Sequence, residues 1–301
     1  MIWDDYMRIR AKGLEPFTPW HLHDKVKCYD FLEALNIPTS KILRRFASPR
    51  DIDLSGLPET FVLKPTLESS LRGVMVLTKT GDEDLFTESL TNKQLTLSEI
   101  VEIQDSLFSK NSNKANQLIV EQVIQDCDGL EVPRDFKAYA FRGEIAAFVV
   151  IDRNHRTAHI GRYDECFRLL DKSSLVQEKP SPLPQLPDSE TLEALTCLAR
   201  KTSLVVPAPF SRIDLYATPS GPVVGEITLV PGGYFPKNNR LRLSDDFQAA
   251  MGAMWSRAQS NMEATYDAVA RRIYGKHLAA CTYEEDRSIR RDLKLHGTPL
   301  I

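Results

Sequence analysis

The stretch SRIDLYATPSGPVVGEITLV, residues 211–230, limits the possible folds more than any other segment. Two alternating runs flank Pro219, Ser220 and Gly221, and turn residues between such runs specify an antiparallel hairpin. A turn centred on Ser220 puts Asp214 opposite Glu226 and Arg212 opposite Thr228, while Ile213, Leu215, Val223, Ile227 and Leu229 make the other face. That second face is apolar enough to bury. The first sets two carboxylates across from each other, which destabilises a sheet. If buried, the pair requires a proton on one member or a cation between them. Oxygen ligands on rigid strands suit Mg²⁺, whose remaining ligands phosphates can supply. Arg212 and Thr228 on the same face would add a fixed positive charge and a neutral oxygen. The bland alternative is an exposed sheet face on which Arg212 offsets two solvated acids; the hairpin alone does not choose between them.

The rest of the chain, 301 residues with 42% hydrophobic and 26% charged, can bury a full core in one large or two ordinary domains. A net charge of −3 and a pI near 6.1 give no whole-chain attraction to nucleic acid or an anionic membrane, so a small-molecule or protein partner is expected. Cys28, Cys127, Cys166, Cys197 and Cys281 form no CxxC pair and read as free thiols of a reducing cytosol. The N-terminus, MIWDDYMRIRAKGLEPF, lacks the apolar region of a secretion signal, and no apolar run approaches the length of a membrane span. A cytoplasmic protein without membrane insertion is expected.

Asp24 can cap a helix over KVKCYDFLEAL, with Val26, Phe31, Leu32 and Leu35 as its buried stripe and Asn36 with Pro38 as its end. TFVLKP and GVMVLT read as strands bracketing the loop TLESSLR, and a polar helical region follows. LIVEQVI (118–124), DFKAYAF (135–141) and EIAAFVVID (144–152) are strand-like, with Arg142-Gly143 as a tight turn between the last two. A capped helix covers 189–203, after the proline-rich connector EKPSPLPQLPDSE. Phe247, Met251, Trp255, Ala258, Met262, Tyr266, Val269 and Ile273 mark one long amphipathic helix, whose stripe suits core packing or a homodimer contact. The last residues, from Thr282 on, read as a solvated tail helix. Helices interspersed with mostly antiparallel sheet indicate an α+β class with two lobes.

Several further groups carry chemistry. Lys64 follows three apolar residues at a strand end, so its ammonium must reach a cleft or water. Ser69, Ser70 and Gly73 could close over phosphates, although Ser and Gly are also ordinary turn residues. Glu121 sits inside an apolar strand, where an edge position facing solvent would explain it. Asp135 and Lys137 share a strand face by the period of two, as a surface ion pair would. His21 with His23, and His155 with His159, lack Cys or carboxylate partners at ligand spacing and do not read as a metal site. Arg153, Arg156 and Arg162 lie between the sheet and the connector, either solvated or available to a substrate carboxylate or phosphate.

In order and spacing, DKVKCYDFLEALNIP, FVLKPTLESSLRGVMVL, LIVEQVI, DFKAYAF and RIDLY…GEITLVPGG resemble the ATP-grasp superfamily, most closely its teichuronopeptide-biosynthesis branch, from about Asp24 to Tyr234. The resemblance implies a two-lobed ATP-grasp fold with mostly antiparallel sheets, a nucleotide cleft between the lobes and appended C-terminal helices. It divides the chain into a short N-terminal segment and helix (1–45), a small lobe with the phosphate loop (46–117), a large lobe with hinge and metal site (118–245) and a helical extension (246–301). ATP and Mg²⁺ are the implied cofactors. Lys64 and Lys25 would contact phosphates, and the Ser69-Ser70 loop would be the lid. Glu121 would meet the adenine amino group, the Val123 backbone the ring edge, and Asp135, with Lys137 nearby, the ribose. Asp214 and Glu226 would bind Mg²⁺, and Arg212 would steady an acyl phosphate.

Three departures stand out. Thr228 occupies the position of a metal-binding Asn, leaving a second metal site open. Glu68 and Arg72 replace glycine-rich sequence in the loop. About two dozen residues precede the first motif helix, so the N-terminal substrate domain of many relatives is expected to be absent. The implied activity is an ATP-dependent carboxylate-amine ligase acting on small-molecule substrates, with a peptide or saccharide acceptor among the options, in natural-product or cell-surface polymer biosynthesis. A kinase of a hydroxyl acceptor and a non-catalytic nucleotide-binding assembly protein are the alternatives.

Overall fold

The computed structural model describes residues 1–68, 71–82, 84–110, 116–171, 174–178, 181–232 and 241–274. The expected tail helix after Thr282 lies outside them. Strands β1 (Ile42–Phe46), β2 (Thr60–Pro65), β3 (Met75–Lys79), β4 (Leu85–Glu88), β5 (Lys93–Thr96) and β6 (Leu118–Gln122) form an antiparallel sheet in the order β1-β6-β2-β3-β4-β5. Its apolar residues, among them Phe61, Leu63, Leu77 and Val120, bury against Ile100 of helix α3 (Leu97–Lys110). The β4–β5 hairpin occupies the first part of the region expected to be helical. Its strands are short and end the sheet, so they carry few of the apolar alternations that mark a strand.

A second antiparallel sheet contains β7 (Asp135–Phe141), β8 (Glu144–Asp152), β9 (His159–Tyr163), β11 (Ser211–Thr218) and β12 (Gly221–Thr228), in the order β12-β11-β7-β8-β9. Strands β10 (Leu175–Glu178) and β13 (Leu241–Leu243) pair separately. Alternation along each strand divides the larger of these sheets into two faces. Phe136, Ala138, Ile213, Leu215 and Ile227 pack with helices α2 (Lys25–Ala34) and α4 (Ser189–Val205). On the other face, Phe141 and Phe210 bury against α1 (Trp3–Ala11) and α5 (Asp245–Tyr274) through Trp3, Met7, Met251, Trp255 and Ala258. The first half of the long apolar stripe is therefore consumed within the chain.

The β11–β12 hairpin differs from expectation at its turn. Thr218 pairs with Gly221, leaving only Pro219 and Ser220 in the loop, and Tyr216 pairs with Val223. Gly221 at φ +105° supplies the left-handed backbone this tight turn requires. Gly225 is then an extra residue, a β-bulge that restores the pairing of Asp214 with Glu226 and of Arg212 with Thr228. As a result Val224, not Val223, enters the core. A Cβ on Gly225 would sit 2.5 Å from Tyr216 Cε2, so Gly225→Ala is expected to cost about 1–3 kcal/mol through overpacking. A lower urea midpoint at unchanged slope would register that loss.

Candidate functional site

Where the two sheets approach, α2 supplies the joining residues. Asp24 accepts hydrogen bonds from the backbone N–H groups of Val26 and Lys27 at 2.9 and 3.2 Å, fixing the helix start. Lys25 is thereby aimed at the segment that follows β2, its Nζ donating to Glu68 O at 2.8 Å and to Thr66 O at 3.5 Å. Burial lowers the Lys25 pKa; the carboxylates of Glu226 and Glu121 act the other way, and neighbouring Lys64 adds to the lowering. One turn further, Tyr29 donates to Gly225 O at 2.9 Å, locking the helix onto the bulge of β12. Lys64 Nζ lies 5.8 Å from the centroid of that tyrosine ring.

Lys64 also meets Glu121 at 2.7 Å, through Oε2. Glu121 is not the solvent-facing edge residue considered from sequence. Its strand, β6, lies between β1 and β2, because the Arg-bearing segment ILRRF adds an outer strand that alternation did not mark, and Glu121 is 3% exposed. Its other oxygen, Oε1, is buried and has no hydrogen-bond partner among the described residues. The Tyr29 hydroxyl nearby has a single proton, and that proton is committed to Gly225. Val123 follows directly after β6, at the start of the segment that crosses to β7.

On the five-stranded sheet, Asp135, Lys137, Arg212, Asp214, Glu226 and Thr228 share the face turned away from α2 and α4. Lys137 Nζ bridges Asp135 Oδ2 at 2.7 Å and Asp214 Oδ2 at 2.6 Å. Arg212 forks onto Asp214 at 2.6 and 2.7 Å and donates to Thr228 Oγ1 at 2.9 Å. Burial alone would raise the Asp214 pKa, but Arg212 and Lys137 outweigh it and hold the carboxyl below the usual range. The same ion pair raises Arg212 against the opposing effect of burial. Asp135 Oδ2 also faces Arg153 at 3.4 Å, whereas Asp135 Oδ1 is buried without a partner among the described residues.

The acidic pair is thus inside the protein, not on a water-washed sheet, but its members differ. Asp214 is compensated by two protein cations. Glu226 is half-buried and forms no ion pair or hydrogen bond among the described residues. A carboxylate unpaired among the described residues, opposite a clamped one and with cationic groups on both sides, fits a divalent ion carrying phosphates. Glu226 and Asp214 are the oxygens that would hold it, and Thr228 orients Arg212 instead of standing free.

The segment between β2 and β3 is anchored at both ends. Asn116 Oδ1 accepts from Leu67 N at 3.0 Å, and Gln104 Nε2 donates to Gly73 O at 2.8 Å. Gly73 has φ +73°, and a Cβ there would lie 2.7 Å from Pro65 Cγ, so no other residue fits without movement. Ser69 and Ser70 lie outside the described residues. Arg72 and Glu68, the departures from a glycine-rich loop, approach each other at 3.4 Å.

Sequence reasoning missed Tyr29 and Tyr216. Tyr29 is four residues beyond Lys25, the spacing of one helix face, which was a usable signal. Tyr216 lies two residues beyond Asp214 on the same strand face. Burial raises its pKa, with the Asp135 and Asp214 carboxylates adding to the effect. Arg162, read as part of a loop, is instead on β9, the outer strand beside β8.

Comparisons with known proteins add three structural likenesses. The chain is similar to a D-alanine-D-alanine ligase from Helicobacter pylori at 16% identity and TM-score 0.46, covering 78% of this chain and 58% of that one. It is similar to a D-alanine–D-alanine ligase from Bacillus anthracis complexed with ATP at 14% identity and TM-score 0.47, covering 85% and 73%. An L-amino acid ligase from Bacillus licheniformis gives 15% identity and TM-score 0.47, covering 75% and 48%. The chain therefore spans about half to three quarters of the length of these proteins. No curated protein matches it in sequence. The family model for TupA-like ATP-grasp proteins matches residues 7–248, an interval that contains Lys25, Lys64, Glu121, Asp135, Lys137, Arg212, Asp214 and Glu226, and the chain belongs to that family.

Proposed function

We propose that this protein is an ATP-dependent carboxylate-amine ligase acting on small molecules. The observation that carries the reading is a pair of buried acceptors without hydrogen-bond partners among the described residues, Glu121 Oε1 and Asp135 Oδ1. Leaving such oxygens without donors costs about 1–3 kcal/mol each. ATP brings the matching donors, an amino group on the base and hydroxyls on the ribose. Lys64 and Lys137 pair with these two carboxylates, and with Lys25 and Arg212 they bring the positive charge a triphosphate requires.

In this reading a substrate carboxylate oxygen attacks the γ-phosphorus and ADP departs. The amine nitrogen then attacks the acyl carbon, inorganic phosphate leaves, and the amine loses a proton to give the amide. Mg²⁺, when bound, would offset charge on the phosphate oxygens. Arg212, fixed by Asp214 and Thr228, stabilises negative charge accumulating at the transferring group without having to reorganise. Lys64 and Lys25 orient the phosphates, Lys137 holds the two aspartates in register, and the Val123 backbone lies beside the base. Ser69 and Ser70 supply hydroxyl donors to the phosphates. The two sheets supply the two lobes.

An ADP-release screen over pairs of carboxylates and amines tests this. Release that requires both partners, with an amide mass in the product, is expected. A stable phosphorylated hydroxyl product would replace the ligase with a kinase, and no ADP with any pair would remove catalysis from the reading.

A further inference from the structure

At the β8–β9 end of the five-stranded sheet, three ligating side chains converge outside the residues discussed so far. Asp152 and His159 are partners across the hairpin. By strand alternation Asp152 points to the opposite face from Ile151, whose partner is Asp135. The residues 153–158 bring His155 back over His159, with the imidazole rings stacked at 3.7 Å between centroids and 11° between planes. His155 Nε2 is 3.2 Å from Asp152 Oδ2. One ligand atom from each of the three residues lies within 4.8 Å of the others. Asp152 is hidden in the sequence as the last residue of a strand; the hairpin register brings it to the histidines.

Asp152 is held as a ligand would be. It is 3% exposed, and its Oδ1 accepts from Asn154 N at 2.9 Å and Asn154 Nδ2 at 2.7 Å, which leaves Oδ2 facing the imidazole. Asn154 is itself fixed by Val132, accepting from its N–H at 2.8 Å and donating to its carbonyl at 2.8 Å. Outer contacts of this kind orient the carboxylate at a metal centre. Two imidazoles and one carboxylate favour Zn²⁺ and its transition-metal neighbours over Mg²⁺, which takes oxygen ligands. Zinc bonds of about 2.0–2.2 Å require the three atoms to draw closer, and His155, exposed on its loop, has room to rotate.

We propose that Asp152, His155 and His159 form a Zn²⁺-class metal site, distinct from the nucleotide site, whose ion clamps residues 153–158 onto the end of the β8–β9 hairpin. The clamped segment begins with Arg153, which reaches Asp135, so the ion would steady one edge of the ribose-facing group from the other side of the sheet. The site requires no nucleotide, and its test is independent of the ligase reading.

The full-length, tag-free chain, stripped with chelator and kept in excess Mg²⁺, is titrated with Co²⁺ while its visible absorption is followed. Saturation at one ion per chain is expected, with Zn²⁺ displacing the absorbing ion. His155→Ala and His159→Ala should each weaken binding by at least about 10–100-fold, the loss that follows even from an outer-contact change. Glu226→Gln should keep the wild-type titration. Absence of Co²⁺ uptake by the wild-type chain, or wild-type affinity in either histidine variant, overturns the proposal.

Discussion

Glu226→Gln is expected to lower ATP turnover about 10²–10³-fold, the loss typical of removing one preorganised electrostatic group from a reacting centre, while leaving the melting temperature near that of wild type. The asymmetry of the acidic pair is the reason. Glu226 forms no ion pair among the described residues and is half-buried, so an amide of the same shape takes its place at little cost to the fold. What disappears is the negative charge that would share a divalent ion with Asp214. Asp214→Asn should reduce turnover too, but it would also destabilise the protein, since Arg212 and Lys137 would each lose a buried counter-charge. Paired ADP-release assays and thermal melts separate the two variants. Wild-type turnover in Glu226→Gln would mean that the unclamped carboxylate does not serve the phosphates.

The legible parts of this protein are those in which period and charge agree. The β7 and β8 strands could be read to the residue because a β7 run alternating from Phe136 to Ala140 and a continuous apolar β8 run from Ile145 to Ile151 are separated by Arg142-Gly143, whose backbone has positive φ at both positions. The pairing of Asp214 with Glu226 was also legible, although two local errors cancelled: the turn is one residue shorter than expected and the bulge at Gly225 adds one back. Glycine between Val224 and Glu226 was the available sign of that bulge. Elements that mix charge into their pattern were harder to find. In β1, two adjacent arginines on an outer strand conceal the alternation. The depth of Glu121 followed from that omission, because its strand becomes internal only when β1 covers it. The separation of Asp214 from Glu226 by the company they keep depends on the reach of Lys137 from the neighbouring strand, a cross-strand fact that no spacing within one segment reveals.

Arg10→Ala is expected to destabilise the protein by about 3–5 kcal/mol, the usual consequence of removing one partner from a buried ion pair. Arg10 is 0% exposed, at the end of α1. Its guanidinium pairs with Glu15, donates to Phe210 O at 2.8 Å and Leu229 O at 3.1 Å, and lies 4.3 Å from the centroid of the Trp255 ring. Phe210 immediately precedes β11 and Leu229 immediately follows β12. A single cation therefore satisfies the two carbonyls at the open end of the hairpin that carries Arg212, Asp214 and Glu226, and α5 closes over it through Trp255. Alanine leaves both carbonyls unpaired beside a buried cavity, and it leaves Glu15 without its partner. Glu15→Gln should cost less, because its side chain is 18% exposed and Arg10 would keep both carbonyls and the aromatic face. Urea unfolding of the two variants measures the difference. If Arg10→Ala lost less than about 1 kcal/mol, the scale of a surface ion pair, the guanidinium would have to be in contact with water, and α1 could not be what holds the base of the hairpin closed.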